Sequence, residues 1–392
     1  MRFYIFILCC FFYLNTSAQT IRGKVRDPDY NGIPFVSVGI TGSNAFTITN
    51  NNGEFELKDV SKSGKLRFSH VNYQSLDTLI KDYADELVVK LVPARITLKE
   101  VTVKTVSAEQ FLKNALEKAA KNVAFHHYGS AFYRQLTSLN NKPFQIYELF
   151  YDIDFNPQKI QGWIARQTRF AQENQDVNFA FDNLSYLTFS LAGYLFTEKP
   201  GKFISLNSIS DYHVKLIHYI EKDDRSIAVI SCILKSPKKN EFYGNSIFYI
   251  DLEDFLIYRV ENQIYHIPMK FDRSVSHKAP QLSTIATFKK TSSAISILES
   301  VSTKLFLPLK IKNTDLNVSA SSMLLVYQLN DELKTQQFNE VVKNTTDSKT
   351  INSITYNADF WKNNQTVKQT FLESSFIKLM ESKAAFGTMI NP

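Results

Sequence analysis

The sequence predicts a mainly β protein: an N-terminal seven-stranded antiparallel sandwich of immunoglobulin-like type, then a larger α+β domain with a curved antiparallel sheet and a few packed helices. Three observations predict it. From Ile21 to Leu91 short alternating segments are separated by turn residues. Beyond Ser107 strand-like segments follow one another with few helical stretches between them. Aromatic residues make up 13% of the chain, an excess that suits strands.

The chain opens MRFYIFILCCFFYLNTSAQT, with one positive charge at Arg2, an apolar run from Phe3 to Leu14, and small residues at Thr16, Ser17 and Ala18. This is the layout of a secretory signal peptide, and the run is too short to span a bilayer. Residues 1–18 are expected to be removed, leaving Gln19 first and placing the protein in the periplasm or at the outer membrane. A short N-terminal anchor is the competing reading; the small residues and the strand pattern that follows at once favour cleavage. Cys9 and Cys10 follow Ile7 and Leu8 rather than small residues, which argues against a lipid anchor. Cleavage leaves Cys232 as the one cysteine, so no intramolecular disulfide can form. In IAVISCIL (227–234) it reads as a buried core thiol.

The formal charge of +7 falls to +6 once Arg2 is removed, and the basic residues are scattered. KSPKKNEFYG (235–244) is the one dense patch and reads as a hairpin loop. An exported chain without a basic stripe points away from nucleic acid. No later stretch reaches eighteen consecutive apolar residues, so no transmembrane span is expected.

The first domain covers 19–92. IRGKVRD, FVSVGIT, FTITN, EFELKDV, KLRFSHV and DELVVKLV alternate with a period of two and argue for an antiparallel sandwich. In TNNNGEFEL (49–57), three asparagines and a glycine raise the question of a cation loop. Such a loop needs several carboxylates at alternating positions, and only Glu54 follows the glycine. The simpler reading is a tight turn at Asn51, Asn52 and Gly53, with Phe55 and Leu57 pointing into the core. IRGKVRD…GIPFVSVGITGS…TITNNNGEFELKDV…GKLRFSHVNYQSL resembles the carboxypeptidase regulatory-like domain, a transthyretin-type sandwich common in exported envelope proteins of the Bacteroidetes type. The resemblance implies an accessory domain without peptidase activity. Asn50 departs from the aspartate usual before the turn glycine, and Val71 with Asn72 replaces a usual glycine before Tyr73.

Residues 93–106 read as a linker, with LKEVTV the usual exit from such a sandwich. The second domain is placed at 107–386 and a tail at 387–392. SAEQFLKNALEKAAKN opens it as a helix with the capping pattern S-x-x-Q and an apolar face of Phe111, Leu112, Ala115, Leu116 and Ala119. Strands are expected in SAFYRQLTSL, FQIYELFYDIDF, KIQGWIARQTRF, YHVKLIHYI, SIAVISCIL, NSIFYIDL, FLIYRVENQIYHI, LSTIATFKKT, STKLFLPLKIKN and SMLLVYQLN. LSYLTFSLAGYLF fits no strand and is expected as a helix or loop across the sheet. VKQTFLESSFIKLMESKAAFG places Val367, Phe371, Leu372, Phe376, Leu379 and Met380 on one stripe of a docked helix, with Gly387 as its stop. AFYRQ, GNSIFYIDLEDFLIYRVE and YNADFWKNN resemble the second part of short envelope proteins with the same sandwich. GNSIFYIDLEDFLIYRVE is also similar, at the level of fold only, to the curved sheet of periplasmic lipoprotein carriers.

A search for chemistry finds no catalytic set, no metal set and no cofactor motif. No histidine pair has HExxH spacing, and His213 and His218, five apart in a strand, are expected on opposite faces. There is no G-x-S-x-G elbow and no phosphate-binding glycine loop. Asp152 with Asp154, and Asp251 with Asp254, read as solvated carboxylates. Ligand-lining candidates are Phe150, Phe155, Trp163, Phe248 and Tyr258, set against the ordinary role of strand aromatics as core. The expected function is a non-enzymatic binding or assembly module with an envelope protein, lipid or glycan as partner. A carrier or sensor of a lipid-like or glycan ligand in the curved sheet is the alternative, and a hydrolase with scattered residues is a third reading.

Overall fold

The computed structural model describes residues 19–43, 46–60, 64–81, 86–98, 107–173, 181, 183–193, 202–269, 271, 275–291, 293–311, 314–341, 346–364 and 366–386. The expected signal peptide with Cys9 and Cys10, the end of the linker at 99–106, and Gly387 with the tail lie outside them. The chain divides into two compact units.

The first unit contains β1 (Gln19–Arg26), β2 (Ser37–Ile40), β3 (Phe46–Ile48), β4 (Glu54–Val60), β5 (Lys65–His70), β6 (Tyr73–Leu79) and β7 (Leu87–Lys90). They form two sheets, ordered β4-β1-β7 and β3-β2-β5-β6. One pair departs from the antiparallel expectation: β7 runs parallel to β1. Ile21, Val25, Val36, Val38, Leu66 and Phe68 are buried between the sheets, and Phe55 meets Phe68 edge-on at 5.6 Å.

The asparagine turn is built by Asn50. Its Oδ1 accepts the backbone N–H groups of Asn52 (2.9 Å) and Glu54 (3.0 Å), while its Nδ2 donates to Glu54 Oε2 at 3.0 Å. An aspartate could make the first two contacts but would set a second carboxylate against Glu54. The departure at Asn50 is therefore matched to its neighbour. Gly53 has φ +76°, and a Cβ there would stand 2.4 Å from the Val25 carbonyl oxygen, so only glycine fits. Phe55 and Leu57 are buried as expected.

The second unit holds β8 (Arg95–Thr97), α1 (Ala108–Lys121), β9 (His127–Leu139), β10 (Lys142–Phe155), β11 (Ile160–Gln172), α2 (Leu184–Ser190), β12 (Tyr212–Lys222), β13 (Arg225–Leu234), β14 (Tyr243–Asp251), β15 (Ile257–Tyr265), β16 (Val275–His277), β17 (Gln281–Lys290), β18 (Ser296–Ile311), β19 (Thr314–Leu329), β20 (Asn339–Glu340), α3 (Asp347–Asn352), α4 (Ala358–Asn363) and α5 (Phe371–Ser382). Thirteen described strands make one curved antiparallel sheet, ordered β20-β11-β10-β9-β19-β18-β17-β15-β14-β13-β12-β8, with β16 on the end of β18. A meander from β12 to β19 is thus joined through β19 to the β9–β11 meander, so the first long strand pairs with the last. Arg95–Thr97, inside the segment expected as a linker, is an edge strand on β12.

One face of this sheet, the inner one, carries α1 and α2. Ser107 caps α1 by accepting the Gln110 N–H at 3.1 Å, and the five apolar residues of the predicted face are all buried. They join Tyr133, Tyr151, Trp163, Phe189 of α2, Phe248 and Val260 in one cluster. LSYLTFSLAGYLF yields α2 and the buried Leu191 and Ala192; its end lies outside the described residues.

The C-terminal helix differs from its expected register. Thr370 and Glu373 form a reciprocal capping box, so the helix begins at Phe371, after Val367. Its buried face is Phe376, Ile377 and Met380, while Phe371 is 83% exposed and Leu372 and Leu379 are also exposed. The cap leaves Val367 outside the helix, and the face that meets Leu136, Ile146 and Ala171 is turned from the expected stripe towards Ile377.

Candidate functional site

A trough of about 380 Å³ lies on the outer face of the second unit across β13, β14, β15, β17 and β18. Its place follows from strand alternation. Cys232, Phe248 and Val260 belong to the inner cluster, so Ser231, Ile247 and Glu261 point the other way. Ser231, Ile247, Glu261, Ile285 and Ser302 are successive partners across the five strands. Asn245, Gln263, Ser283 and Lys304 form a second row, one residue pair further along. Ile233 at the rim is 51% exposed.

The electrostatics of the trough are uneven. Glu261 is its one carboxylate; it accepts from Arg259 Nε at 2.7 Å and from the Tyr249 hydroxyl at 2.9 Å. Burial, then the charge of Glu261, raises the Tyr249 phenol well above its usual range. Asn245 Oδ1 accepts the Leu234 N–H at 3.0 Å, which leaves its amide N–H groups as donors. Among the described residues, the side chains of Gln263, Ser231, Ser283, Ser302 and Lys304 have no hydrogen-bond or ion-pair partner. The trough can therefore bind polar groups; burial pushes the thiol of Cys232, beside it, up to about 12.

The inner face directly behind the trough carries a second polar feature. Ser246, Asn262, Thr284, Thr303, Ser322 and Gln135 are consecutive cross-strand partners, and all six are buried. Ser246 Oγ donates to Asn262 Oδ1 at 2.7 Å, and Asn262 Nδ2 to Thr284 Oγ1 at 3.0 Å. Thr188 of α2 meets Ser322 at 2.8 Å, and Ser185 of α2 bonds Asp347, a buried carboxylate. This seam lies between two apolar clusters, one around Phe248 and one around Leu282 and Leu305. Sequence reading missed both rows because each contributes only one polar residue per strand.

The five ligand-lining candidates do not converge. Phe155, Trp163 and Phe248 sit in the inner cluster, all buried. Phe150 lies on the outer face against Phe132, Phe360 and Trp361 at 4.9, 5.0 and 5.4 Å. Tyr258 also faces outward, near Arg225 Nη1 at 3.2 Å, with burial raising its phenol to about 12. Positions 150 and 155 differ by an odd number, so the alternation that defined the strand already separates them.

Two further expectations are corrected. Asp152 is buried, not solvated, and accepts from Arg166 Nε at 2.6 Å and Ser130 at 3.0 Å; Asp154 meets His126 Nδ1 at 2.7 Å. Asp251 is buried as well, accepting the Glu253 N–H at 2.9 Å and pairing with Arg225 at 2.7 Å, because it closes the β14–β15 turn. A bulge between Leu216 and His218 shifts the alternation of β12. His213 then pairs with Ile233 and His218 with Val229, both on the outer face, so the two histidines share a face after all. Among the described residues no three His, Cys, Asp or Glu side chains stand at metal-binding spacing, and no helix is long and apolar enough to cross a membrane.

Two small sheets packed over one apolar core make the first unit a β-sandwich. Residues 21–103 match the family model described as CarboxypepD_reg-like domain, so the chain carries a carboxypeptidase regulatory-like domain at its N-terminal end. No curated protein matches the chain. Among solved structures, a cohesin–X-dockerin complex from Acetivibrio cellulolyticus is similar at 20% identity, covering 26% of this chain and 73% of that one, with a TM-score of 0.19. A LolA superfamily protein from Nitrosomonas europaea is similar at 11% identity, over 59% of this chain and 99% of that one, with a TM-score of 0.19. A DUF1329 family protein from Desulfovibrio piger is similar at 8% identity, over 58% and 97%, with a TM-score of 0.25. Scores this low carry no argument about function.

Proposed function

We propose that the protein is a non-enzymatic exported binding module, periplasmic or attached to the outer membrane, that takes its ligand in the outer-face trough of the second unit. The observation that supports this is the row of unengaged amide, hydroxyl and ammonium groups lining a trough of about 380 Å³. Polar side chains in a concave site hold a ligand by hydrogen bonds and fix its orientation. The sandwich serves in this reading as an accessory domain. The test compares the tagged mature protein with its Ser283→Trp variant in capture from its own envelope, with mass spectrometry of lipids, glycans and proteins. A ligand retained by the parent and lost from the folded variant supports the reading; identical retention by both defeats it.

A second reading, a carrier of a lipid-like ligand on the inner face, draws on the hydroxyl contacts that hold α2 over the sheet. Ser185 meets Asp347 of α3 and Thr188 meets Ser322 of β19, beside the apolar packing of Leu184 and Phe189. Uptake of a spin-labelled fatty acid that a cysteine cross-link between α2 and β19 blocks would favour it over the trough.

A further inference from the structure

We propose that the ligand of the trough is an anionic oligosaccharide laid across the strands from β12 to β18. The inference rests on the trough being the binding site and adds the chemical class and direction of what it holds.

Direction comes from the register. The lining residues run perpendicular to the strands, over four interstrand steps from β13 to β18, roughly 19 Å. On β12, Lys215 pairs with Ser231 and His213 with Ile233, which extends the same rows by one strand to roughly 24 Å. That is the length of a short oligosaccharide, and a ligand lying along one strand would meet few of these groups.

Class comes from the unmet hydrogen-bonding capacity. Gln263, Ser231, Ser283 and Ser302 are unengaged among the described residues, and Asn245 offers its amide N–H groups. An acyl chain would cover these groups without replacing the hydrogen bonds that water gives them. A peptide would bring its own backbone N–H and C=O groups, and this site, at the centre of a sheet, has no free ladder to receive them. A sugar supplies hydroxyls that both donate and accept, with C–H faces between them. Ile247 and Ile285, alternating with the polar side chains, suit those faces.

Charge comes from the imbalance around the trough. The carboxylate of Glu261 is neutralised by Arg259, whereas Lys304 at one end and Lys215 at the other are exposed and have no acidic partner among the described residues. Each row therefore ends in one lysine, at opposite sides of the trough, which matches a chain bearing carboxylates or sulfates and steers it across the sheet.

The experiment is calorimetric titration of the mature protein with tetragalacturonate and with its methyl ester, which has the same sugar skeleton without the charge. The acid should bind, and the ester should bind about tenfold more weakly or worse. Lys304→Glu, an exposed change on a paired strand, should keep the melting temperature and lose at least about tenfold in affinity for the acid. Gln263→Ala should lose affinity for both forms alike. Equal affinity for acid and ester, or no binding of either, overturns the proposal. If tetragalacturonate fails while Ser283→Trp still abolishes envelope capture, the ligand class is wrong and the trough stands; if neither responds, both readings fall.

Discussion

The outer face of the large sheet is treated in two ways along its width. Over β9, β10 and β11 it is covered: Leu136, Ile146 and Ala171 pack under Phe376, Ile377 and Met380 of α5, and Phe150 under Phe360 and Trp361 of α4. Over β13 to β18 it holds the trough, with no described helix among the lining residues. Both halves carry polar and charged side chains in the same alternating pattern. What differs is whether those groups are satisfied within the protein. In the covered half Glu148 receives both Arg134 and Arg169, all three buried; Arg134 Nη1 also stands 3.6 Å from Glu373, and the Arg169 guanidinium lies 4.5 Å from the Trp361 ring. In the trough the side chains of Gln263, Ser231, Ser283 and Ser302 are unengaged among the described residues. A covered face must pair its charges to be stable, and an open face that leaves them unpaired keeps them for something else.

The largest test of this contrast is Glu148→Ala, which strands two buried guanidiniums. It should cost about 3–5 kcal/mol in a denaturant titration of the mature protein. The triple variant Arg134→Met, Glu148→Leu, Arg169→Met should be less destabilised than that single change, since it removes the charges together. The pH dependence has a defined sign. Burial pushes the Glu148 carboxyl up, but the two guanidiniums outweigh it and hold the group below its ordinary value of 4.5. A depressed folded value means the stabilisation is fully present above pH 4.5 and is lost as pH falls through the folded value. The parent should therefore lose stability on acidification in that window, and the triple variant should lose less of it. A triple variant as acid-sensitive as the parent would assign the effect elsewhere.

An intermediate effect is expected at Glu373, which belongs to the cap of α5 and to the edge of the same charge cluster. Its Oε2 accepts the Thr370 N–H at 2.7 Å. Glu373→Ala should cost about 1–2 kcal/mol and speed hydrogen exchange in the first turn of α5 before the strands beneath respond. Uniform exchange across the unit would mean that α5 and the sheet open together, and that the cover is not a separable layer.

Much of the fold is legible in the sequence, and the reasons for the rest are physical. The buried face of α1 was readable residue by residue because a capped amphipathic helix carries its own frame of reference. The asparagine turn was readable because Gly53 allows few conformations. Alternation likewise places Asp152 and Asp154 opposite Tyr151 and Ile153, but whether that face meets water depends on Arg166 and on distant Phe360, which no local pattern contains. The bulge that puts His213 and His218 on one face leaves no mark in the sequence of β12. The trough is least legible of all. Ser231, Asn245, Gln263, Ser283 and Lys304 lie on five strands, and only the cross-strand register brings them side by side.

The smallest expected effect is the most telling for the comparison. Gln263→Leu replaces an unengaged amide in the middle of the sheet with a side chain of similar size and good strand behaviour. In the covered half an equivalent change, such as at Glu148, removes a partner that buried groups require. At Gln263 no described group loses a hydrogen bond, so stability should move by no more than about 0.5 kcal/mol in either direction. A loss above about 1 kcal/mol would show that the amide is satisfied in the folded chain and that the trough is structural. A neutral Gln263→Leu that also weakens ligand retention separates the two roles, because the side chain then contributes to binding and nothing measurable to folding.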